Sequence, residues 1–180
     1  IGLVIGVSNL IPSTLLEIPR LGFIGMHPTL LPLGRGRAPI PWTIIKDLKE
    51  SGTTLFICDP EADTGKILAQ KSYPVHYEDT CETLGKRSDD AVIELLIDAL
   101  PKYYAGELVP YLQDESKATH WGKRTPDDGV IDWSKSSKEI YNWIRALTHP
   151  YPGAFTFYKG EKVMVWRATE NVDQRKIGRA

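Results

Sequence analysis

The sequence lacks most features that mark specialised classes of protein. Its 180 residues include only two cysteines, too few for a disulfide framework, so we expect a reducing, cytoplasmic compartment. The net charge of −1 provides no whole-chain field to attract nucleic acid or an anionic membrane. The apolar run at residues 1–7 is too short to span a bilayer, and no membrane partner is expected. Neither a phosphate-binding Gly-Lys-Ser/Thr loop nor a dinucleotide fingerprint is present.

Metal ligands and ordinary chain ends are missing as well. His76, His120 and His149 fall in separate regions, so no obvious third or fourth ligand accompanies His27, and no metal site is predicted. The chain opens on an apolar run without an initiator methionine and stops without a closing element. We therefore expect a fragment of a longer protein.

Strand-like and helix-like patterns alternate over the first half of the chain. Strands are predicted at residues 1–7, 21–26, 53–58 and 66–71, and helices at 11–16, at 40–49 with an end at Ser51-Gly52, and from a capping box at Asp79 and Glu82 to about residue 100. Continuous apolar runs are typical of parallel strands covered on both faces. The alternation therefore predicts an α/β fold with a mainly parallel sheet.

The last third of the chain changes character twice. Residues 113–128 are polar and contain few large aliphatic side chains, which predicts a linker. Ser136 and Glu139 form a second capping box before a helix. Near residue 150 the apolar period changes from 3.6 to 2, and residues 154–158 and 162–166 are predicted to form a β-hairpin. We therefore expect an α/β part at 1–112, a linker at 113–135 and the start of a small β domain at 136–180.

Residues 25–32 (GMHPTLLP) are the most informative segment. They place His27 after an apolar strand, in a loop too rich in proline and glycine for helix or sheet. An imidazole there can act as a general base or stabilise an oxyanion. Asp63 lies in an acidic loop (59–65, DPEADTG) after the next helix and strand, where it can meet and orient the imidazole. The alternatives are a histidine bonded to its own loop and an ordinary turn aspartate.

Two arginines and a cysteine lie near these loops. Arg35 and Arg37 occupy a glycine-containing loop that opens a helix, a setting that suits phosphate or carboxylate groups. A solvated surface loop is the alternative. Cys58 ends an apolar strand and is expected to be a buried small hydrophobic residue rather than a nucleophile.

In these motifs the chain resembles the folate-dependent formyltransferases. The family pattern is Asn-x-His-x-Ser-Leu-Leu-Pro, then Arg-Gly-x-x-Pro, then an Asp-Ala/Ser/Thr-Gly loop, and residues 25–32, 35–39 and 63–65 follow it in that order. Residues 124–133 look like the family's linker, and residues 149–155 look like the entry to its C-terminal domain, an open β-barrel. The resemblance implies that residues 1–112 are the C-terminal part of a doubly wound catalytic domain.

The resemblance also implies a reaction and a set of roles. A formyl group would pass from 10-formyltetrahydrofolate to an amine, without a metal. His27 would stabilise the oxyanion and help to move protons. Asp63 would set the charge and the position of His27. Arg35 and Arg37 would bind the acceptor. The residues expected at the folate are Leu10, Ile11 and Pro12 in one turn, and Cys58, Asp59 and Ala62 in the acidic loop.

One position departs from the family pattern. Gly25 stands where the family has an asparagine, and glycine has no side-chain donor for the formyl oxygen. Loss of such a donor commonly costs a few kcal/mol of transition-state stabilisation. Asn9 and Ser8 are candidate substitutes; the alternative is that Asn9 caps or turns the chain.

A nucleotide-linked amino sugar is the favoured acceptor. Residues 35–39 and 150–155 look closer to the sugar branch of the family than to its tRNA branch, and the near-neutral chain gives no strong tRNA footprint. Methionyl-tRNA is the second acceptor. A formyl-folate hydrolase and an inactive binding module stay open as alternative functions. A homodimer stays open as the assembly.

Overall fold

The structure is a computed structural model that describes residues 1–7 and 9–169. Its strands are β1 (Gly2–Val4), β2 (Phe23–His27), β3 (Arg35–Gly36), β4 (Glu50–Ile57), β5 (Ile67–Pro74), β6 (His120–Trp121), β7 (Ala154–Tyr158) and β8 (Glu161–Val165). Its helices are α1 (Ser13–Leu16), α2 (Pro39–Ile45), α3 (Cys81–Tyr104) and α4 (Ser137–Leu147). No helix among these residues has the length and apolarity needed to cross a membrane.

Four strands form the main sheet in the order β1-β2-β4-β5. The α/β class is confirmed, but the described part of this sheet is mixed rather than mainly parallel. β1 pairs with β2 in parallel, whereas β2 with β4 and β4 with β5 are antiparallel. A continuous apolar run indicates that a strand is buried but does not indicate the direction in which it runs. The short connection after β4 turns the chain back, so β5 runs antiparallel to β4. β1 is also less covered than predicted, since Leu3 is 50% exposed.

α2 is shorter than predicted, and the strand after it is longer. The helix ends at Ile45, and Ser51 and Gly52, which were predicted to end it, are buried within β4. A Cβ atom at residue 52 would overlap the side chain of Leu30. Gly52 therefore permits close packing between strand and loop instead of ending a helix.

The long helix α3 is capped by a pair other than the predicted Asp79 and Glu82. The hydroxyl of Thr80 accepts a hydrogen bond from the amide of Thr83, and the hydroxyl of Thr83 accepts one from the amide of Thr80. Asp79 instead accepts two hydrogen bonds from Arg87, at 2.6 and 3.0 Å. The cap shifts by one residue because a threonine hydroxyl takes the place of the expected glutamate.

The apolar core lies between the sheet and the helices. One cluster joins the sheet to α3 and contains Ile24, Leu55, Leu68, Val92 and Ala99. A second cluster joins α2, α3 and α4 and includes Ile44, Leu84, Ile144 and Leu147. The capping box of Ser136 and Glu139 opens α4 as predicted, and the hairpin of β7 and β8 is also confirmed.

The polar segment predicted to be a linker packs against the first part of the chain. Gln113 is 8% exposed, and β6 pairs in parallel with β3, which joins His120 to Arg35 and Trp121 to Gly36. The segment therefore helps to build the loop after β2. The divisions at 112/113 and 135/136 stay predictions, and residues 170–180 of the predicted second domain lie outside the described residues.

Candidate active site

His27 and Asp63 meet in space, as the sequence predicts. His27 is the last residue of β2 rather than part of the following loop, and it is 5% exposed. Its Nε2 lies 2.7 Å from the carbonyl oxygen of Gly34, so Nε2 carries a proton and donates it to that oxygen. Its Nδ1 lies 3.6 Å from Oδ1 of Asp63. The ring is therefore fixed on one side and faces a carboxylate on the other.

The loop after His27 is held by buried hydroxyl groups. The hydroxyl of Thr54, in the neighbouring strand β4, donates to the carbonyl of Thr29 at 2.7 Å and accepts from the amide of Leu31 at 3.1 Å. The hydroxyl of Thr29 in turn donates to the carbonyl of Leu33 at 2.6 Å. These bonds fix the turn that presents the Gly34 carbonyl to the imidazole.

Asp63 is positioned through both its side chain and its backbone. Its Oδ2 accepts from the amide of Gly36 at 2.8 Å, which leaves Oδ1 toward His27. Its φ of 60° lies in the left-handed region, an uncommon conformation for a residue with a Cβ. The side-chain amide of Gln113 donates to the carbonyls of Asp63 and Gly65, at 2.8 and 2.7 Å. Gln113 therefore holds the turn in which Asp63 lies.

Arg35 has a structural environment that the sequence does not reveal. It is 2% exposed. Its Nε and Nη2 donate to the side-chain oxygen of Gln113 at 3.1 and 2.8 Å, and its Nη1 and Nη2 donate to Glu115 at 2.9 and 2.6 Å. The prediction of Arg35 as a substrate-binding residue therefore conflicts with the structure, because its guanidinium is already committed within the protein. It ties the loop after β2 to the segment around residue 115.

A cleft of about 670 Å³ opens over this pair. His27 and Asp63 both line it, and so does Arg37. Of the residues expected at the folate, those that line the cleft are Leu10, Ile11, Cys58, Asp59 and Ala62. Pro12 does not line it. Two segments distant in sequence thus supply walls of the same cleft, and the binding roles themselves stay predictions.

Cys58 contributes a neutral wall to the cleft. Burial, together with the negative charges of Asp59 and Asp63, raises the pKa of its thiol to about 11. A thiol with that pKa is protonated at neutral pH and is a poor nucleophile. The structure therefore supports the interpretation of Cys58 as a packing residue.

Gly25 is buried, and the space beside it is filled. A Cβ atom there would lie 2.9 Å from both the ring of Phe56 and the sulfur of Cys58. Phe56 is the residue paired with Gly25 across β2 and β4. An asparagine at this position would therefore require the side chains of Phe56 and Cys58 to shift. Asn9 lines the cleft, whereas Ser8 lies outside the described residues.

Sequence reasoning missed several cleft residues. Lys123 and Arg124 line the cleft from within the polar stretch 113–128, and Tyr151 lines it from the segment beyond. The basic pair before Thr125 was the available signal, but the surrounding polar composition favoured a linker. Within residues 1–7 and 9–169, no group of three or more histidine, cysteine or acidic side chains could hold a metal ion.

Comparison with known proteins identifies related chains. Solved structures similar to this one include HypX from Aquifex aeolicus in complex with tetrahydrofolic acid (20% identity, TM-score 0.80, covering 92% of this chain and 28% of that one). A methionyl-tRNA formyltransferase from Clostridium thermocellum has 26% identity and a TM-score of 0.77, with 93% and 72% covered. The N-formyltransferase from Helicobacter canadensis, in complex with folinic acid and dTDP-3-aminofucose, has 23% identity and a TM-score of 0.68, with 76% and 51% covered.

The chain thus spans less than a third of HypX, and the low identities to HypX and to the Helicobacter protein establish the fold alone. The family models are more decisive. The model for formyl transferase matches residues 2–100, more than half of the chain, and the model for the formyl transferase C-terminal domain matches residues 123–179. The chain belongs to the formyl transferase family.

Proposed function

We propose that this protein transfers a formyl group from 10-formyltetrahydrofolate to the amine of a nucleotide-linked amino sugar. The observation that carries the proposal is the pairing of His27 with Asp63 in the wall of a cleft of about 670 Å³. That volume is typical of small-molecule sites. HypX was solved with tetrahydrofolic acid and the Helicobacter enzyme with folinic acid, which supports a folate as the donor.

The residues around the cleft fit a folate ring. Leu10 and Ile11 offer apolar surface, Ala62 and Cys58 offer small neutral walls, and Asp59 supplies a carboxylate. We assign these residues to the donor. When bound, 10-formyltetrahydrofolate would supply the formyl carbon and, once that group leaves, a nitrogen that takes up a proton.

The proton chemistry falls to His27. Its Nε2 proton is committed to the carbonyl of Gly34, so Nδ1 is the ring nitrogen that can exchange a proton. An attacking amine loses one proton when it forms an amide, and Nδ1 can accept it. The resulting imidazolium would lie 3.6 Å from Asp63, whose carboxylate stabilises the positive charge. Asn9 is the candidate for the donor that Gly25 cannot provide, because it lines the same cleft.

Two acceptors remain to be separated. The complex of the Helicobacter enzyme with dTDP-3-aminofucose supports a sugar nucleotide. The methionyl-tRNA formyltransferase, at 26% identity and 72% of its length, supports the second candidate, formylation of charged initiator tRNA.

Formyl incorporation into defined acceptors tests the proposal. Purified protein would be supplied with 10-formyltetrahydrofolate and, separately, with dTDP- or UDP-linked 4-amino sugars and methionyl-tRNA. We expect a formylated sugar, and a loss of at least about 100-fold in turnover for His27→Gln. Lys86→Gln is the matched control, because Lys86 pairs with Asp90 on the exposed face of α3.

The other outcomes are equally informative. Formylation of the tRNA alone would contradict the sugar proposal. Release of formate without any acceptor would indicate a hydrolase. Folinic acid binding with no transfer at all would indicate a binding module.

A further inference from the structure

Arg124 is half-buried and is paired differently from the other arginines that are not exposed. Arg35 is bonded to Glu115, Arg87 to Asp79, and Arg145 to a side-chain amide and two carbonyls. Arg124 donates one hydrogen bond, from Nη2 to the carbonyl of Asp128 at 3.0 Å.

Its remaining polar atoms are less satisfied. The Nε of Arg124 is buried without a hydrogen-bond partner, and no carboxylate in the described part of the chain forms an ion pair with it. Burial lowers the pKa of Arg124, against a weaker opposing effect of the charge on Asp128. Arg124 is half-buried, its Nε has no partner, and no carboxylate of the described residues pairs with its charge, so the site favours an anion from elsewhere.

Two tryptophans hold the guanidinium in place. Its central carbon lies 5.0 Å from the ring centroid of Trp42 and 4.4 Å from that of Trp143. The ring nitrogen of Trp42 also donates to the carbonyl of Gly122 at 2.8 Å, which fixes the chain just before the basic pair. A guanidinium held in this way loses little further freedom when it binds a ligand.

Arg124 forms part of the wall of the cleft. Arg124 and Lys123 line the cleft that holds His27, together with Tyr151. Arg124 also lines a smaller adjoining cavity of about 100 Å³. The residues assigned to the folate lie in the two other segments, 10–11 and 58–62, so the basic pair is separate from them in sequence and in role.

We propose that Arg124 and Lys123 form an anion-binding site that takes a phosphate group of the acceptor. Guanidinium groups suit phosphate because their N–H donors match its oxygens two at a time, and a neighbouring ammonium adds a point charge. That the anion belongs to the acceptor rests on the proposed function, whereas the anion site itself does not. The alternative source of the same chemistry is a carboxylate on the glutamyl tail of the folate.

Calorimetric titration separates these sources. Purified protein would be titrated with inorganic pyrophosphate and, separately, with folinic acid. We expect Arg124→Gln to weaken pyrophosphate binding at least about 10-fold. Lys123→Gln should weaken it less, because a bidentate guanidinium contact binds phosphate more strongly than a single ammonium charge does. Folinic acid affinity should stay within about twofold of wild type, and added salt should weaken pyrophosphate binding.

Controls and contrary outcomes are built into the same titrations. Arg124→Lys keeps the positive charge but cannot make a bidentate contact, so its affinity for pyrophosphate should lie between those of wild type and Arg124→Gln. Lys86→Gln should bind pyrophosphate as wild type does. Near-ultraviolet circular dichroism checks the fold, and Lys123→Gln keeps the test valid if Arg124→Gln unfolds. The proposal is overturned if wild type binds no pyrophosphate, or if Arg124→Gln and Lys123→Gln bind it as wild type does. Loss of folinic acid affinity in Arg124→Gln would reassign the site to the folate.

The anion site and the proposed function can fail separately. Suppose that pyrophosphate binding depends on Arg124 but no acceptor is formylated. The anion site then stands, and the assignment of formyl transfer fails.

Discussion

Removal of the Gln113 side chain should both destabilise the protein and disturb the pairing of His27 with Asp63. Its oxygen accepts from two nitrogens of Arg35, and its amide donates to the carbonyls of Asp63 and Gly65. The side chain therefore links the buried arginine to the turn in which Asp63 faces His27. Gln113→Ala breaks all four hydrogen bonds at once.

The size of the effect follows from those four bonds. A buried hydrogen bond contributes about 0.5–1.5 kcal/mol net, so Gln113→Ala should lower the free energy of unfolding by about 2–6 kcal/mol. Gln113→Glu keeps an acceptor for Arg35 but turns an ionised oxygen toward two carbonyls. This variant should lose less stability and still loosen the turn of Asp63.

Urea unfolding measures the stability, and steady-state kinetics measures the effect on catalysis. Both variants should lower kcat, with a smaller change in KM, at temperatures where they are fully folded. Ser88→Ala is the control: it removes a buried 2.8 Å hydrogen bond to Thr53, neither residue lines the cleft, and it should lower stability alone. If Gln113→Ala turns over as fast as Ser88→Ala, Gln113 does not position Asp63. If Gln113→Ala unfolds at the same urea concentration as wild type, the four hydrogen bonds of Gln113 do not stabilise the protein as expected.

Three further outcomes follow from local geometry. Gly25→Ala should lower the free energy of unfolding by about 1–3 kcal/mol in urea, because its new Cβ crowds Phe56. Cys58, with a pKa of about 11, should react with iodoacetamide at pH 8 at least about 100-fold more slowly than an ordinary exposed thiol. Burial alone would raise the pKa of Asp79, but the hydrogen bonds from Arg87, the His76 amide and Thr83, with the charge of Arg87, together outweigh burial and lower the pKa. The stabilisation by the ionised Asp79 carboxylate is therefore present above about pH 4 and is lost as the pH falls through its lower folded pKa. In Asp79→Asn the free energy of unfolding should accordingly change less with pH in the acid range.

The sequence predicts the features that depend on local pattern. The capping box at Ser136 and Glu139 and the hairpin of β7 and β8 are confirmed, because capping and strand alternation are encoded within a few residues. The meeting of His27 with Asp63 is also confirmed: His27 ends β2, and Asp63 lies in the loop that joins β4 to β5.

Long-range contacts explain the differences. Arg35 was assigned to substrate because its neighbours are glycines, but its partners lie 78 and 80 residues further along the chain. The same distance hid the role of Gln113, which local composition placed in a linker. Strand direction was missed for a related reason: burial on both faces leaves an apolar pattern, and the connections decide which way a strand runs.

Gly25, the position that departs from the family pattern, packs against Phe56. The two residues face each other across β2 and β4, and the ring occupies the space that a side chain at residue 25 would need. An asparagine placed there alone would therefore meet the ring and the sulfur of Cys58 instead of open cleft. Phe56 is itself part of the cleft wall, so the ring that excludes the asparagine also shapes the space left for ligands. We therefore expect the donor that the proposed reaction needs to come from another wall of the cleft, where Asn9 lies.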